Sequence, residues 1–211
     1  MELPEPPSRP RALPLWLEWT IVSSLVAGTV GFEQHHLASW PQFPWLPWLG
    51  PLLGAPFVGL AQGFVLRSHL RRGKAWAKAS AIGLWVGLSV GGLMIWLAQR
   101  SPSGNFSILL AAFPIAAAIQ GAFQAPVLRS RVQHPNRWIL ICALAWFVNL
   151  FPMLVFGAMS LDWLEGAIVP ASYTLLNGLL SGAIVGLIRG VGLSLLLYPP
   201  SPRQPAQSSG S

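Results

Sequence analysis

The feature that most restricts how this chain can fold is a series of apolar runs: Leu13 to Gly31, Pro51 to Leu66, Trp76 to Ala98, Ile108 to Leu128, Trp138 to Met159 and Ala171 to Ile188. A helix needs ~20 such residues to cross a ~30 Å hydrocarbon core, and every run reaches that length except the second, which does so with its flanks. Lipid offers a backbone no hydrogen-bond partner, so runs of this kind become helices that satisfy their own N–H and C=O groups. The expected structure is an all-α integral membrane bundle of six helices, at about 13–35, 50–71, 75–98, 106–130, 137–159 and 168–196, forming a transmembrane domain over 14–198. Residues 1–13 and 199–211 read as disordered ends, polar or rich in proline. With 53% apolar and only 9% charged residues, the chain has too few polar side chains to coat a soluble domain of its length.

Charge placement orients the helices. Arg9 and Arg11 precede the first; Arg67, Arg71, Arg72, Lys74 and Lys78 lie around the second turn; Arg129, Arg131 and Arg137 lie around the fourth; Arg189 and Arg203 come last. With alternating spans all of these share one side, and Arg100 is left on the other with Glu33, Asp162 and Glu165. Basic residues mark the cytoplasmic side of short loops, so both termini are expected in the cytoplasm of a bacterial inner membrane, or of a thylakoid. The net charge of +7 then belongs to topology and to anionic headgroups, not to nucleic acid. The proline-rich start lacks a small-x-small cleavage site and reads as leading into an uncleaved first span.

One frame occurs twice. Gly59, Gln62, Val65, Leu66, Arg67, Ser68 and Trp76 recur sixty-two positions on as Gly121, Gln124, Val127, Leu128, Arg129, Ser130 and Trp138. At ~3.6 residues per turn, Gly59, Gln62, Gly63 and Leu66 share a helix face, as do Gly121, Gln124, Ala125 and Leu128. Small residues let membrane helices approach closely, and an amide among them calls for a partner on a neighbouring helix. Arg67 and Arg129 fall where a guanidinium can reach the headgroups, and Trp76 and Trp138 where an interfacial indole is expected. The frame describes a helical hairpin turning at the cytoplasmic surface.

The last helix carries a looser third copy. Leu187, Ile188 and Arg189 stand for Val-Leu-Arg, with Arg189 as a third cytoplasmic anchor, Tyr198 in the tryptophan position and Ile184 in place of the glutamine. Gly178, Gly182, Gly186 and Gly190 form a ladder suited to close helix packing. Trp19 and Ser23 of the first helix match Trp76 with Ser80, and Trp138 with Cys142. If the last and first helices are the arms of a hairpin split by the termini, the bundle is a pseudo-threefold ring of hairpins, and Glu18 is expected near Arg189 as an ion pair.

Gln62-x-x-Val65-Leu66-Arg67 and Gln124-x-x-Val127-Leu128-Arg129, each followed by a tryptophan-led span, resemble the repeats of uncharacterised polytopic membrane proteins of cyanobacteria and some other bacteria. Such segments sometimes occur fused to serine/threonine kinase domains. The similarity runs from about Gly54 to Arg189 and implies a bacterial membrane and no catalytic residues.

Candidates for chemistry are few. Glu33 with His36, and Asp162 with Glu165, have the i,i+3 spacing that offers two zinc ligands from one helical face, but no complete metal motif is present. Cys142 has no intrachain disulfide partner and reads as a packing residue. Inside the spans the polar residues are the amides Gln62, Gln120, Gln124, Asn149 and Asn177, with no ionisable group near mid-helix and no histidine placed to ligate an intramembrane haem. Three functions fit: a non-enzymatic scaffold, sensor or accessory subunit, associating with lipids and with another membrane protein or itself; a small transporter or channel for a neutral or polar solute; and a membrane-embedded, metal-dependent hydrolase using Glu33, His36, Asp162 and Glu165 on the outer face. The first accounts for all of these residues and requires neither metal nor cofactor.

Overall fold

A computed structural model describes residues 13–38, 46–70, 72–100, 106–163 and 171–199. They form α1 (Leu15–Ala38), α2 (Leu46–Leu70), α3 (Gly73–Arg100), α4 (Phe106–Leu128), α5 (Arg137–Trp163) and α6 (Ala171–Leu197), with no strand among the described residues.

Local chemistry sets the helix ends. Pro14 O receives the N–H groups of Leu17 and Glu18 at 2.9 and 3.1 Å and so opens α1. α2 starts at Leu46, earlier than the expected 50, because Pro47 falls in the first turn, where a missing N–H costs nothing. α4 stops at Leu128, short of the expected 130, with Pro126 in its last turn. There Leu128 O receives both Arg131 N and Val132 N at 2.9 Å, which turns the chain out of the helix.

Four helical stretches, Gly73–Ala98, Leu110–Leu128, Arg137–Val155 and Leu175–Leu197, are long and apolar enough to cross a membrane. Their outer faces are apolar too: Leu140, Leu144, Phe147 and Phe151 line one exposed side of α5. A row of this kind is costly in water and suited to lipid, which marks the protein as a helical membrane protein.

Each helix packs against its neighbours in chain order, and α6 packs against α1. Among the described residues no other helix pair comes close, so the six form a closed ring. Glycines make the seams tight. Along α6, a Cβ built at Gly178 would stand 2.6 Å from Ala27 O, at Gly182 2.5 Å from Ser23 O, and at Gly190 2.8 Å from Trp16 O. Ser24 of α1 adds a hydrogen bond across the same seam, donating to Leu179 O at 2.7 Å. Gly59 and Gly63 bring α2 onto Ala77 and Gly73 of α3. Gly83, Gly87 and Gly91 seat α3 on Gln120, Ala116 and Ala112 of α4.

A layered polar and aromatic cluster on the ring axis

In a regular ring whose neighbouring axes lie ~9 Å apart, alternate axes are about 16 Å apart, too far for backbone contact. Only long side chains pointing inward can meet there. The odd helices each supply one indole: Trp19 from α1, Trp76 from α3 and Trp138 from α5, all essentially inaccessible to solvent. Their ring centroids are 5.9, 6.3 and 5.6 Å apart. The two pairs involving Trp19 are edge-to-face, the arrangement that sets the positive rim of one ring on the negative face of the next. Alternate members of a ring can touch mutually only at its centre, so the three tryptophans occupy the axis.

The even helices bring amides to the same layer. Trp138 Nε1 donates to Gln124 Oε1 at 2.7 Å, and Trp76 Nε1 to Gln62 Oε1 at 3.4 Å. Gln124 Nε2 donates to Ser80 Oγ at 2.7 Å and across the ring to Gln62 Oε1 at 3.2 Å. Cys142 Sγ lies 3.9 Å from Gln124 Oε1. Both glutamines are buried; Gln124 is bonded through its oxygen and its nitrogen, and Gln62 through its oxygen.

The tryptophans and one arginine depart from the expected positions. Trp76 and Trp138 are not interfacial anchors, because their indole N–H groups have acceptors inside the bundle and their rings pack on each other. Arg67 and Arg129 are exposed at the helix ends, but Arg189 is only 4% exposed and lies inside the ring. No ion pair joins it to Glu18, whose carboxylate lies 3.6 Å from His69 Nε2. Tyr198 takes no tryptophan position: its hydroxyl lies 3.3 Å from His69 Nδ1.

Helix packing explains why Arg189 is inside. Gly59 faces Ala77 and Ala81, Gly121 faces Ile139 and Cys142, and Gly186 faces Thr20 and Ser23. The three glycines thus meet the helix that carries Trp76, Trp138 or Trp19, beginning at the residue after the tryptophan. Three residues beyond each glycine stand Gln62, Gln124 and Arg189, all buried, and four further on come Leu66, Leu128 and Leu193, all fully buried. The packing frame of α6 is displaced by five residues from the frame of sequence similarity, so Arg189 and not Ile184 holds the glutamine position. Repeated glycines at i, i+4 let α6 slide along α1 without losing contact, and similarity in a Leu-Ile-Arg triplet does not reveal such a shift.

The other singled-out residues are spread along the bundle. Gln120, one turn before Gln124, and Asn149, seven residues past Cys142, are buried, and Gln120 Nε2 and both amide atoms of Asn149 have no partner among the described residues. Asn177 is half-buried with Oδ1 unpartnered. The side chains of Glu33, His36 and Asp162, and all of Glu165, lie outside the described residues. Among the described residues no group of three or more His, Cys, Asp or Glu could hold a metal ion. Ser80 is a member of the amide network that the expected site did not include; its only signal is its place four residues after Trp76. No protein-family model, curated protein or solved structure matches the chain.

Proposed function

We propose that the chain is a non-enzymatic integral membrane protein that serves as a sensor or accessory subunit in a bacterial membrane, built as a six-span, pseudo-threefold ring of helical hairpins with both ends cytoplasmic. The observation that carries this reading is the filled axis. Trp19, Trp76 and Trp138 touch one another at the centre, and Gln62 and Gln124 are hydrogen-bonded to them and to each other instead of lining an aqueous path. A pore needs a wet, continuous lining, and a layer of three packed indoles interrupts one. The recurring glycine, inward polar residue and tryptophan of α2 with α3, α4 with α5, and α6 with α1 support the ring of hairpins. The one-sided basic loops support the orientation.

Two measurements test the reading. Proteoliposomes loaded with neutral solutes should leak no faster than protein-free vesicles, and solute flux that scales with protein content would overturn the non-transporting role. Reporter fusions after residues 40, 103 and 163 should read outside, and those after 72, 134 and 205 inside. An outside reading at 205 would overturn the six-span topology.

A further inference from the structure

Where two of the three inward positions hold glutamine, the third holds arginine, and this changes what the layer can satisfy by itself. Each glutamine presents an acceptor, Oε1, to the indole N–H of its partner tryptophan. Arginine has donors only. Trp19 Nε1 is accordingly buried without a partner among the described residues, and so are Arg189 Nε and Nη2. Those two guanidinium nitrogens share one edge, the edge that takes two oxygens of a carboxylate or phosphate in parallel. An unpaired guanidinium at 4% exposure is among the most unfavourable groups to bury.

The carboxylates with assigned helical positions do not neutralise it. Glu18 makes no ion pair with Arg189, and its carboxylate lies 3.6 Å from His69 Nε2. Glu33 is fourteen residues past Trp19 on α1, about 21 Å along the helix, and Asp162 is twenty-four past Trp138 on α5, about 36 Å. Cys142, within electrostatic range of Arg189, supplies no strong acceptor. The position is shallow: Trp19 is four residues into α1, about 6 Å from its start.

We propose that the Nε/Nη2 edge of Arg189, whose chain neighbour Gly190 packs on Trp19, is a binding site for an oxyanion that presents two oxygens on one side, a carboxylate or a phosphate ester. The bound anion supplies in the third position the acceptor that Gln62 and Gln124 supply in the other two. Occupancy completes the threefold layer and ties α6 to α1 through its charge, so the ligand acts on the seam that closes the ring. The site deepens the sensor reading and rests on it only for its role. Its test measures binding, so it can fail while the flux result stands, and the reverse.

The experiment uses the full chain, delipidated in a neutral maltoside detergent, with thermal unfolding followed by tryptophan emission. Sodium phosphate and sodium acetate are titrated against sodium chloride at matched ionic strength, and phosphatidylglycerol mixed micelles against phosphatidylcholine. Wild type should gain roughly 5 °C at saturation with an oxyanion and show no comparable gain with chloride. Arg189→Gln restores the residue found in the other two positions; it should fold and show no saturable response. Arg189→Lys keeps the charge but not the two-pronged edge and should shift half-saturation at least tenfold higher. A response to phosphate or acetate assigns a soluble anion, and a response to phosphatidylglycerol alone assigns the phosphate of an anionic lipid, whose charge no choline cation cancels as it does in phosphatidylcholine. Equal responses in wild type and both variants, no saturable response in wild type, or equal stabilisation by chloride would each overturn the site. So would an oxyanion response that appears only after Glu2→Gln and Glu5→Gln, since the chain's own carboxylate would then be the occupant.

Discussion

Trp138 donates its indole N–H to Gln124 Oε1 at 2.7 Å, and through that amide it is joined to Ser80 on α3 and Gln62 on α2. One glutamine therefore links four helices. Gln62 accepts two bonds on a single oxygen, both longer, at 3.2 and 3.4 Å. Interhelical hydrogen bonds in membranes contribute on average ~0.6 kcal/mol and rarely more than ~1.7. Gln124→Leu should then cost about 2 kcal/mol of stability in detergent and Gln62→Leu about 1. Unfolding followed by tryptophan emission provides the comparison, and equal losses would show that Gln124 is not the hub.

The three tryptophans are chemically alike but not equally satisfied. Replacing Trp138 by Phe leaves Gln124 Oε1 without its indole donor, whereas replacing Trp19 by Phe removes a donor that has no acceptor among the described residues. In anion-free detergent, Trp138→Phe should destabilise by about 1 to 2 kcal/mol and Trp19→Phe by less than about 1. A larger loss at Trp19 would mean that its N–H is already paired.

Glycine substitutions separate rigid from yielding contacts. A methyl at Gly182 meets Ser23 O at 2.5 Å and Ser24 Cα at 2.7 Å, both fixed by α1, whereas at Gly192 it meets the side chain of Ile141 at 2.7 Å. Gly182→Ala should cost about 2 kcal/mol, and Gly192→Ala less than about 1, since a side chain can move aside and a helix backbone cannot. Thermal unfolding of the two variants distinguishes the cases, and a harmless Gly182→Ala would mean that the α1–α6 seam is loose.

Cys142 is fully buried beside Gln124 and is the only cysteine in the chain. It should resist a maleimide reagent while the ring is closed and react fully after denaturation, as mass spectrometry would record. Its rate in the native state then reports opening of the bundle, and Gln124→Leu should raise it. Rapid labelling of the native protein would contradict a closed interior.

All-helical architecture and an apolar, lipid-facing exterior were legible in the apolar runs, because length and hydropathy are properties of single segments. The repeated frame likewise marked Gln62 and Gln124 as inward residues on small faces, since glycine, glutamine and leucine at helical spacing define a face without reference to any other helix. What the frame did not reveal was direction at the helix ends. A tryptophan near the start of a span is an interfacial anchor if it points to lipid and an axial packing residue if it points inward, and the two share one sequence signature. Trp76 and Trp138 are of the second kind because an amide on the preceding helix waits for each indole. Arg189 was hidden for a related reason: its register follows from which glycines of α6 meet Thr20 and Ser23 of α1, a contact between residues more than 160 positions apart. The Glu33, His36, Asp162 and Glu165 constellation stays a sequence pattern, lying outside the described side chains.

The seam between α1 and α6 also carries a consequence for biosynthesis. On α1, Trp16, Ser23, Ala27 and Gly28 present a surface that Gly178, Gly182, Gly186 and Gly190 of α6 pack against. During synthesis α1 emerges before α2 to α5, and α6, its complement, emerges after them. Until then the small-residue face of α1 is without the helix that covers it. Contacts of such long sequence separation form late. A chain stalled before α6 therefore leaves that face of α1 open to lipid or to another small-residue helix.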